Sequence, residues 1–325
     1  MSTSEPATPE PLPLVWVVGA GGLVGRHVAH RFVLAGHDLF QAPVHWADEE
    51  RSVSDLVEAM GRFAELRRGR PWQVVWCAGA GVVATPEEAL DTELRVFRRA
   101  MSGLVETSGP AEAGVLVLAS SAGGVYAGSQ HPPFTEASEP APLVAYGRTK
   151  LAMEETLRSV ASQTGVRVVL ARLANVYGPG QSLTKPQGLL SQLCLAQATS
   201  RSLPIFVSSD TIRDYVYAGD VGAAVYALAQ RAGSEPPGRV VVKVVASRRP
   251  VTVGHLVSEA RRVFHRPVRT IPVPGASGGQ VLDLRLGSRV WPEIDALVST
   301  TLPEGLDRTA HDVLARVVAG GALDD

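Results

Sequence analysis

A glycine-rich loop directly after the first apolar run constrains the fold of this chain more than any other feature. Leu14 to Val18 form a short continuous apolar run, which is typical of a strand buried on both faces of a parallel sheet. The loop Gly19-Ala-Gly-Gly-Leu-Val-Gly25 follows at once and opens a helix predicted over about 22–35. Glycines tolerate such a tight turn and leave room for a pyrophosphate at the helix N-terminus. The unit therefore predicts a dinucleotide site whose residues include Gly19, Gly22, Leu23, Val24 and Gly25.

Strands and helices alternate along the first half of the chain. Further strands are predicted at 38–42, 72–77, 114–119 and 167–171, and helices over about 52–68, 86–106 and 146–162. This alternation is typical of βαβ units with right-handed crossovers. The rhythm loosens after about Val176, with helices predicted near 186–199, 218–231, 253–264 and 304–319. The sequence predicts the α/β class: a Rossmann-type doubly wound parallel sheet with a smaller C-terminal α+β substrate lobe.

The domain boundaries follow from the same pattern. Residues 1–13 are rich in proline and have no apolar run, so we expect a disordered tail rather than a signal peptide. The Rossmann domain is predicted over 14–176, with returning segments near 213–246. Residues 177–325 are predicted to form most of the substrate-binding lobe.

The end of the second predicted strand normally selects between the two nicotinamide dinucleotides. It reads Phe40-Gln-Ala-Pro-Val-His45, which offers neither an acid for a ribose hydroxyl nor an arginine for a 2′-phosphate. NAD and NADP therefore both stay open. Asp48 is predicted to contact the adenosine end of the cofactor, and Arg51 is the alternative. Either residue could equally be a solvated charge on a loop. Ala78, Gly79 and Ser120, which lie at the ends of strands, complete the predicted cofactor contacts.

A tyrosine and a lysine stand four residues apart at the start of the helix predicted over 146–162. Tyr146-Gly-Arg-Thr-Lys150 puts a phenol and an ammonium one helical turn apart on one face. A nearby cation favours the phenolate, so a tyrosine with a free pKa of about 10 becomes an acid and base near neutrality. Only three lysines occur in the chain, so a chance match at this spacing is expected about once in eighteen such sequences.

A pair of serines precedes this helix, at the carboxyl end of the strand predicted over 114–119. Ligands of open α/β sheets bind at this edge, so Ser121 is predicted to hold a substrate oxygen whose proton passes to or from Tyr146. The plain explanation of such a pair is a turn or a helix cap. Ser121 is chosen over Ser120 because it lies 25 residues before Tyr146, and Ser120 stays open as the alternative.

Together the glycine loop, the serines and the Tyr-x-x-x-Lys pair resemble the extended short-chain dehydrogenase/reductases, specifically the NAD-dependent epimerase/dehydratase group that includes UDP-galactose 4-epimerase. The stretches Ala171-Arg-Leu-Ala-Asn175 and Ile212-Arg-Asp-Tyr-Val-Tyr-Ala-Gly-Asp220 add to the resemblance. It implies that Tyr146 is the acid and base, that Lys150 binds the nicotinamide ribose, and that Ser121 orients the sugar hydroxyl. It also implies that Asn175 and Arg213 face the diphosphate of a nucleotide sugar, and Lys185 is predicted to contact the same substrate.

The chain departs from the relatives it resembles at four places. Ala122 stands where many relatives carry Ser or Thr, so Ser121 is assigned through its spacing from Tyr146 and Ser120 remains the alternative. Gly123-Gly124 stands where the 4,6-dehydratases have an Asp-Glu pair, so dehydration is disfavoured. Glu93-Leu-Arg-Val-Phe breaks the Asn-Val-x-Gly-Thr helix motif of relatives. The segment 274–279 lacks the arginine that relatives often place nearby to clamp the diphosphate, a role for which Arg285 or Arg289 are candidates.

These features predict an NAD(P)-dependent nucleotide-sugar epimerase acting at C4 through a transient 4-keto sugar. The alternatives are an NADPH-dependent 4-ketoreductase and a non-catalytic dinucleotide-binding sensor. The 31 basic and 32 acidic residues nearly balance, which disfavours nucleic acid, and no apolar run is long enough to span a membrane. Two cysteines outside any C-x-x-C motif favour the cytoplasm, and no metal site is predicted. The resemblance implies a homodimer packed through helices near 90–106 and 146–162. Phe97, Ala152 and Leu157 are compatible with it, and burial within the monomer explains them equally well.

Overall fold

The computed structural model of the protein describes residues 12–67, 69–79, 81–107, 114–184, 188–273 and 281–320. The strands, in chain order, are β1 (Leu14–Val18), β2 (Leu39–Phe40), β3 (Trp72–Trp76), β4 (Gly114–Ser121), β5 (Arg167–Leu173), β6 (Asn175–Tyr177), β7 (Leu203–Ile205), β8 (Ile212–Arg213), β9 (Tyr215–Tyr217), β10 (Val240–Val245), β11 (Val251–Thr252), β12 (Thr270–Pro272) and β13 (Asp283–Leu284). The helices are α1 (Leu23–Leu34), α2 (Glu49–Leu66), α3 (Glu87–Thr107), α4 (Ala122–Val125), α5 (Ala145–Thr164), α6 (Leu189–Ala198), α7 (Ala218–Gly233), α8 (Val253–Phe264), α9 (Pro292–Asp295) and α10 (Leu302–Val318). Most of the predicted tail, residues 1–11, lies outside the described residues.

Six parallel strands form the main sheet, in the order β10-β5-β4-β3-β1-β2. Every residue of β1 and of β3 is buried, as their continuous apolar runs predict. Strand order reverses between β1 and β3, because the chain adds β2 on one side and then returns past β1 to add β3. Open α/β sheets bind ligands at the carboxyl edge beside such a reversal. The predicted doubly wound parallel sheet is confirmed.

Helices cover both faces of this sheet. Val15 and Val17 point to one face, where they pack with buried residues of α1 and α7. Trp16 points to the other face, where it packs with residues of α2, α3 and α5. The strand therefore contributes to two separate cores, and the carboxyl edge between them is left to the loops that follow β1, β3 and β4.

Two of the residues offered for a homodimer interface are buried within this single chain. Phe97 of α3 and Leu157 of α5 both belong to the core beneath those helices. They do not form an apolar stripe on the outer faces of the helices. The predicted homodimer stays a prediction without them.

A third core lies in the C-terminal part of the chain. It joins α6, α8 and α10 through buried residues such as Leu193, Leu256 and Leu306. Short strands accompany these helices: β8 lies between β11 and β13, β7 pairs with β12, and β6 pairs with β9. This mixture matches the predicted α+β character, while α7 and β10, at 218–245, return to the main sheet.

Lys243 is a charged residue in the middle of the apolar strand β10. Only 1% of its surface is exposed. Its Nζ donates hydrogen bonds to Asp295 Oδ1 and to the Val290 carbonyl, each at 2.6 Å, and also to Ser288. A buried ammonium needs such partners, so the residue anchors the 288–295 segment to the main sheet.

Candidate active site

The glycine loop between β1 and α1 has the shape that a pyrophosphate requires. Gly19 adopts a φ of +84°, and a Cβ on it would lie 2.6 Å from the backbone of Ala78. A Cβ on Gly25 would lie 2.1 Å from the Gly19 carbonyl oxygen. Gly22 caps α1 without a side-chain hydrogen bond, and the first turn has no acidic residue. The N-terminus of α1 is therefore open to an anion, and the residues present fit a dinucleotide.

The other predicted cofactor contacts meet this loop at the carboxyl edge of the sheet. Ala78 and Gly79 lie in the loop after β3, and Leu23 and Val24 begin the first turn of α1. Ala78 lies against Gly19, so the loops after β1 and β3 touch. Their roles toward a cofactor stay predictions, but the structure brings these residues together.

Replacing Gly25 with alanine is expected to weaken cofactor binding by about ten- to hundredfold. The new Cβ would overlap backbone atoms rather than a movable side chain, and such overpacking costs about 1–3 kcal/mol. Titration of the purified variant with NAD(H) and NADP(H), followed by fluorescence, measures the effect. Gly21→Ala is the matched control, because a Cβ at Gly21 meets nothing within 4 Å. Equal affinities of the two variants would contradict the assignment of this loop.

Asp48, the predicted contact to the adenosine end, is exposed and caps α2. Its Oδ1 accepts a hydrogen bond from the Arg51 backbone N–H at 2.9 Å. This cap explains why α2 begins at Glu49 rather than at the predicted residue 52. β2 ends at Phe40, and the residues that follow it directly carry no charged side chain that could distinguish a ribose 2′-hydroxyl from a 2′-phosphate.

Tyr146 and Lys150 lie in the first turns of α5 and face the loop after β4. Lys150 is 5% exposed, and its Nζ lies 5.6 Å from the centre of the Tyr146 ring. The ring of Tyr146 packs on Gly124, where a Cβ would come within 3.0 Å of two ring carbons. Ser121 ends β4, caps α4, and accepts a hydrogen bond from the Gly124 N–H at 3.1 Å. The structure thus brings Ser121, Tyr146 and Lys150 to one edge of the sheet.

The two serines of β4 point in opposite directions, and this favours Ser121 as the serine of the site. Ser120 is buried and donates a hydrogen bond to Glu154 Oε1 at 2.6 Å. Ser121 is only half-buried and lies beside Gly124. The hydroxyl of Ser120 therefore belongs to an interior network, and that of Ser121 lies on the side of Tyr146.

The interior network was not found from the sequence. Arg172 of β5 donates to both carboxylate oxygens of Glu154, from Nε at 3.0 Å and from Nη2 at 2.6 Å. Its Nη1 donates to the Tyr126 hydroxyl at 2.6 Å, and that hydroxyl donates to the Thr135 carbonyl. Burial raises the pKa of the Tyr126 phenol, and the neighbouring Arg172 offsets part of this effect. Glu154 follows Lys150 by one helical turn, which was the available signal.

Glu93 of α3 is a second residue that sequence reasoning did not place in the site. Its Oε1 accepts a hydrogen bond from Lys150 Nζ at 3.0 Å, and its Oε2 accepts one from the Gly81 N–H at 3.0 Å. Burial alone would lower the pKa of the Lys150 ammonium, but Tyr146 and Glu93 together raise it above its ordinary value. The lysine is therefore held in its charged form by a carboxylate from a different helix.

The predicted substrate residues lie on the strands at the start of the second lobe. Arg213 of β8 is half-buried, makes no ion pair with a described carboxylate, and has its pKa lowered by burial. Asn175 of β6 is exposed, and its amide donates to the Asp214 carbonyl at 3.1 Å. Lys185 lies outside the described residues, as does 274–279. Arg285, one of the two candidates for the missing clamp, pairs with Asp283 at 2.8 Å.

Asp214, next to Arg213, is expected to make stability depend on pH. Its carboxylate is 1% exposed; Oδ1 accepts from the Ser247 N–H, while Oδ2 has no partner among the described residues. Burial raises the pKa of this carboxyl to about 6. Because the folded pKa lies above the unfolded value, the stabilisation is complete below about pH 4 and is lost as the pH rises through about 6, by about 3 kcal/mol.

Asp214→Asn keeps the acceptor for Ser247 and removes the charge. The unfolding free energy of the variant minus that of the natural protein should therefore rise by about 3 kcal/mol between pH 4 and pH 7. Denaturant unfolding at a series of pH values measures this difference. A difference that stays flat across the range would show that Asp214 is ionised without cost.

Two structural searches gave no site. Within the described ranges, no three His, Cys, Asp or Glu residues are grouped so that they could hold a metal ion. In the same part of the chain, no helix combines the length and the apolar character needed to cross a membrane.

The glycine loop, the parallel sheet and the Tyr-x-x-x-Lys helix at its carboxyl edge define an extended short-chain dehydrogenase/reductase. Within that class, the chain belongs to the NAD dependent epimerase/dehydratase family, whose sequence profile matches residues 15–243. The family description agrees with the predicted nicotinamide cofactor.

Individual relatives cover several reactions on nucleotide sugars. The chain is 36% identical over 101 residues to a dTDP-L-rhamnose 4-epimerase of Burkholderia thailandensis, across 31% of this chain and 28% of that protein. It is 25% identical over 206 residues to a dTDP-4-dehydro-6-deoxyglucose reductase of Escherichia coli, across 61% of each. The chain thus spans less than two thirds of either relative.

A solved structure matches over nearly the whole chain. The UDP-glucose 4-epimerase of Thermotoga maritima with UDP-glucose superposes with a TM-score of 0.72 at 22% identity, covering 94% of this chain and 99% of that one. At this identity the likeness supports the fold. The reaction must be argued from the site.

Proposed function

We propose that this protein is an NAD(P)-dependent nucleotide-sugar 4-epimerase that works through a transient 4-keto sugar. The observation that carries the proposal is the placement of Tyr146 and Lys150 beside Ser121, at the edge where the loops after β1 and β3 meet. A proton acceptor, a hydroxyl and a cradle for a dinucleotide are the parts that oxidation of a secondary alcohol needs.

Each residue has a separate task in this reaction. Bound NAD(P) supplies the hydride acceptor. Tyr146 removes the proton from the C4 hydroxyl of the sugar and returns it when the ketone is reduced on its other face. Ser121 donates a hydrogen bond to the same oxygen. Lys150 favours the phenolate, and the N–H that donates neither to Glu93 nor to the Met153 sulfur binds the nicotinamide ribose.

The nucleotide diphosphate is assigned to Arg213 and Asn175. Arg213 is half-buried, and its carboxylate neighbour Asp283 is paired directly with Arg285, so the Arg213 guanidinium suits an anion that brings its own charge. Lys185 remains a predicted contact to the same group.

Water elimination is disfavoured by Gly123 and Gly124. The ring of Tyr146 already lies against Gly124, and a Cβ there would come within 3.0 Å of it. An acidic side chain at this position would displace the ring unless the helices moved apart. The chain thus lacks the Asp-Glu pair that the 4,6-dehydratases have at this position.

A 4-ketoreductase is the second candidate, because one of the relatives named above is a dTDP-4-dehydro-6-deoxyglucose reductase. The same residues serve both reactions, with Tyr146 giving its proton to the ketone in the reductase. The two reactions differ in the fate of the cofactor: an epimerase regenerates it within each turnover, and a reductase consumes one NADPH per turnover.

A screen of UDP-, dTDP- and GDP-sugars with NAD(H) or NADP(H) separates the two. An epimerase should convert a sugar nucleotide to its C4 epimer with no lasting change in nicotinamide absorbance. Stoichiometric consumption of added NADPH with a 4-keto substrate would replace the epimerase proposal by the reductase. Absence of any conversion in the whole panel would refute both.

A further inference from the structure

A carboxylate reaches the Lys150 ammonium from α3. Glu93 lies in the stretch that breaks the Asn-Val-x-Gly-Thr motif, and the two side chains are 57 residues apart in sequence. Their side chains are 15% and 6% exposed, so the ion pair is screened little by solvent. The resembled motif begins with the neutral amide of asparagine. This chain has the carboxylate of Glu93 there, and that carboxylate is largely shielded from solvent.

The carboxylate is held firmly against the loop that follows β3. Its second oxygen accepts from the Gly81 N–H, and a Cβ on Gly79 would lie 2.7 Å from Glu93 Oε1. Both carboxylate oxygens thus have a hydrogen-bond partner. The loop positions the Glu93 carboxylate, and the carboxylate in turn positions the Lys150 ammonium.

Other charges near this pair are already matched. Glu87 of α3 pairs with Arg148 of α5 on the exposed rim, and Arg95 of α3 pairs with Glu49 of α2. On the sheet side, Glu154 pairs with Arg172. Burial raises the pKa of Cys77, at the end of β3, to about 12, so the thiol is neutral.

We propose that Glu93 is a positioning residue that holds Lys150 and offsets part of its positive charge at Tyr146, so that the phenolate forms at a higher pH than beside an unpaired lysine. The inference rests on the proposed function of Tyr146 as acid and base. Coulomb attraction between the ammonium and a phenolate falls when a carboxylate lies 3.0 Å from the same nitrogen. The pair therefore sets the pH range in which the enzyme works.

The test is the pH profile of Glu93→Gln, with Glu93→Asn as a second neutral variant. With saturating cofactor, the acid-side half-point of kcat should move down by about one pH unit, which means about fivefold higher relative activity one unit below the natural half-point. Glu93→Asp keeps the charge and should keep the half-point. Glu87→Gln removes the same charge from an exposed pair between the same two helices and should leave the profile unmoved.

Titration of the tyrosinate absorbance gives a readout that needs no substrate. The difference between each protein and its Tyr146→Phe version reports Tyr146 alone, and the midpoint should move down in Glu93→Gln by the same amount as the kinetic half-point. A lower rate with unmoved midpoints, or a midpoint that moves up, would overturn the proposal. If no sugar nucleotide is turned over, the absorbance titration still decides on Glu93, while the proposed reaction alone fails.

Discussion

Tyr146→Phe is expected to lower kcat for the accepted sugar nucleotide by about 10³-fold and to leave cofactor affinity unchanged. Phenylalanine fills the same space against Gly124, so the packing of α4 and α5 should survive. Only the hydroxyl that accepts and returns the substrate proton is lost. Steady-state kinetics and a titration with the cofactor measure the two parts of the expectation.

Tyr226→Phe is the control for this substitution. Tyr226 lies in α7, where its ring packs against Phe32 and His37 on a different face of the molecule. Loss of its hydroxyl should not change kcat. Undiminished turnover in Tyr146→Phe would refute the catalytic assignment and would favour a non-catalytic dinucleotide-binding protein, in which glycines are needed but a phenolate is not.

The second large effect concerns stability rather than catalysis. Arg172→Met is expected to lower the free energy of unfolding by about 3–5 kcal/mol, because it leaves the Glu154 carboxylate buried without its cation. Ser120 alone would remain as a donor to that carboxylate. Denaturant unfolding followed by circular dichroism measures the loss.

Two further variants identify the cause of this loss. Arg158→Met breaks an exposed pair with Glu155 on α5 and should change stability by less than about 1 kcal/mol. The double variant Glu154→Leu with Arg172→Met removes both charges and should recover most of the stability. If the double variant is as unstable as Arg172→Met, the loss comes from packing of the arginine stem and not from an unpaired charge.

Local pattern was enough to predict most of the secondary structure and to select the candidate residues that the structure brings to one edge of the sheet. The helix predicted over 253–264 matches α8, because its apolar spacing and its Thr252 cap lie within the segment itself. The glycine loop and the Tyr146–Lys150 spacing are equally local. Each is set by neighbours within one turn of the chain, which a sequence displays directly.

The sequence did not reveal the ion-pair partners of buried charged residues, because these partners are distant along the chain. Lys243 interrupts an apolar run, and its carboxylate partner stands 52 residues later in Asp295. Arg172 interrupts β5 in the same way and meets Glu154 across the packing of helix on sheet. A cation inside an apolar run predicts a buried carboxylate partner. Which carboxylate it is depends on the tertiary fold.

The burial of Lys150 and Lys243 has a practical consequence for labelling chemistry. Each amine is paired with a carboxylate and has little exposed surface, so amine-directed acylating reagents should react slowly with both while the protein is folded and Lys150 is covered by bound cofactor. Their modification would then mark molecules that have opened. In a chain with three lysines, peptide mapping after brief acylation becomes a direct measure of how often the core around β10 and the first turns of α5 exposes itself to solvent.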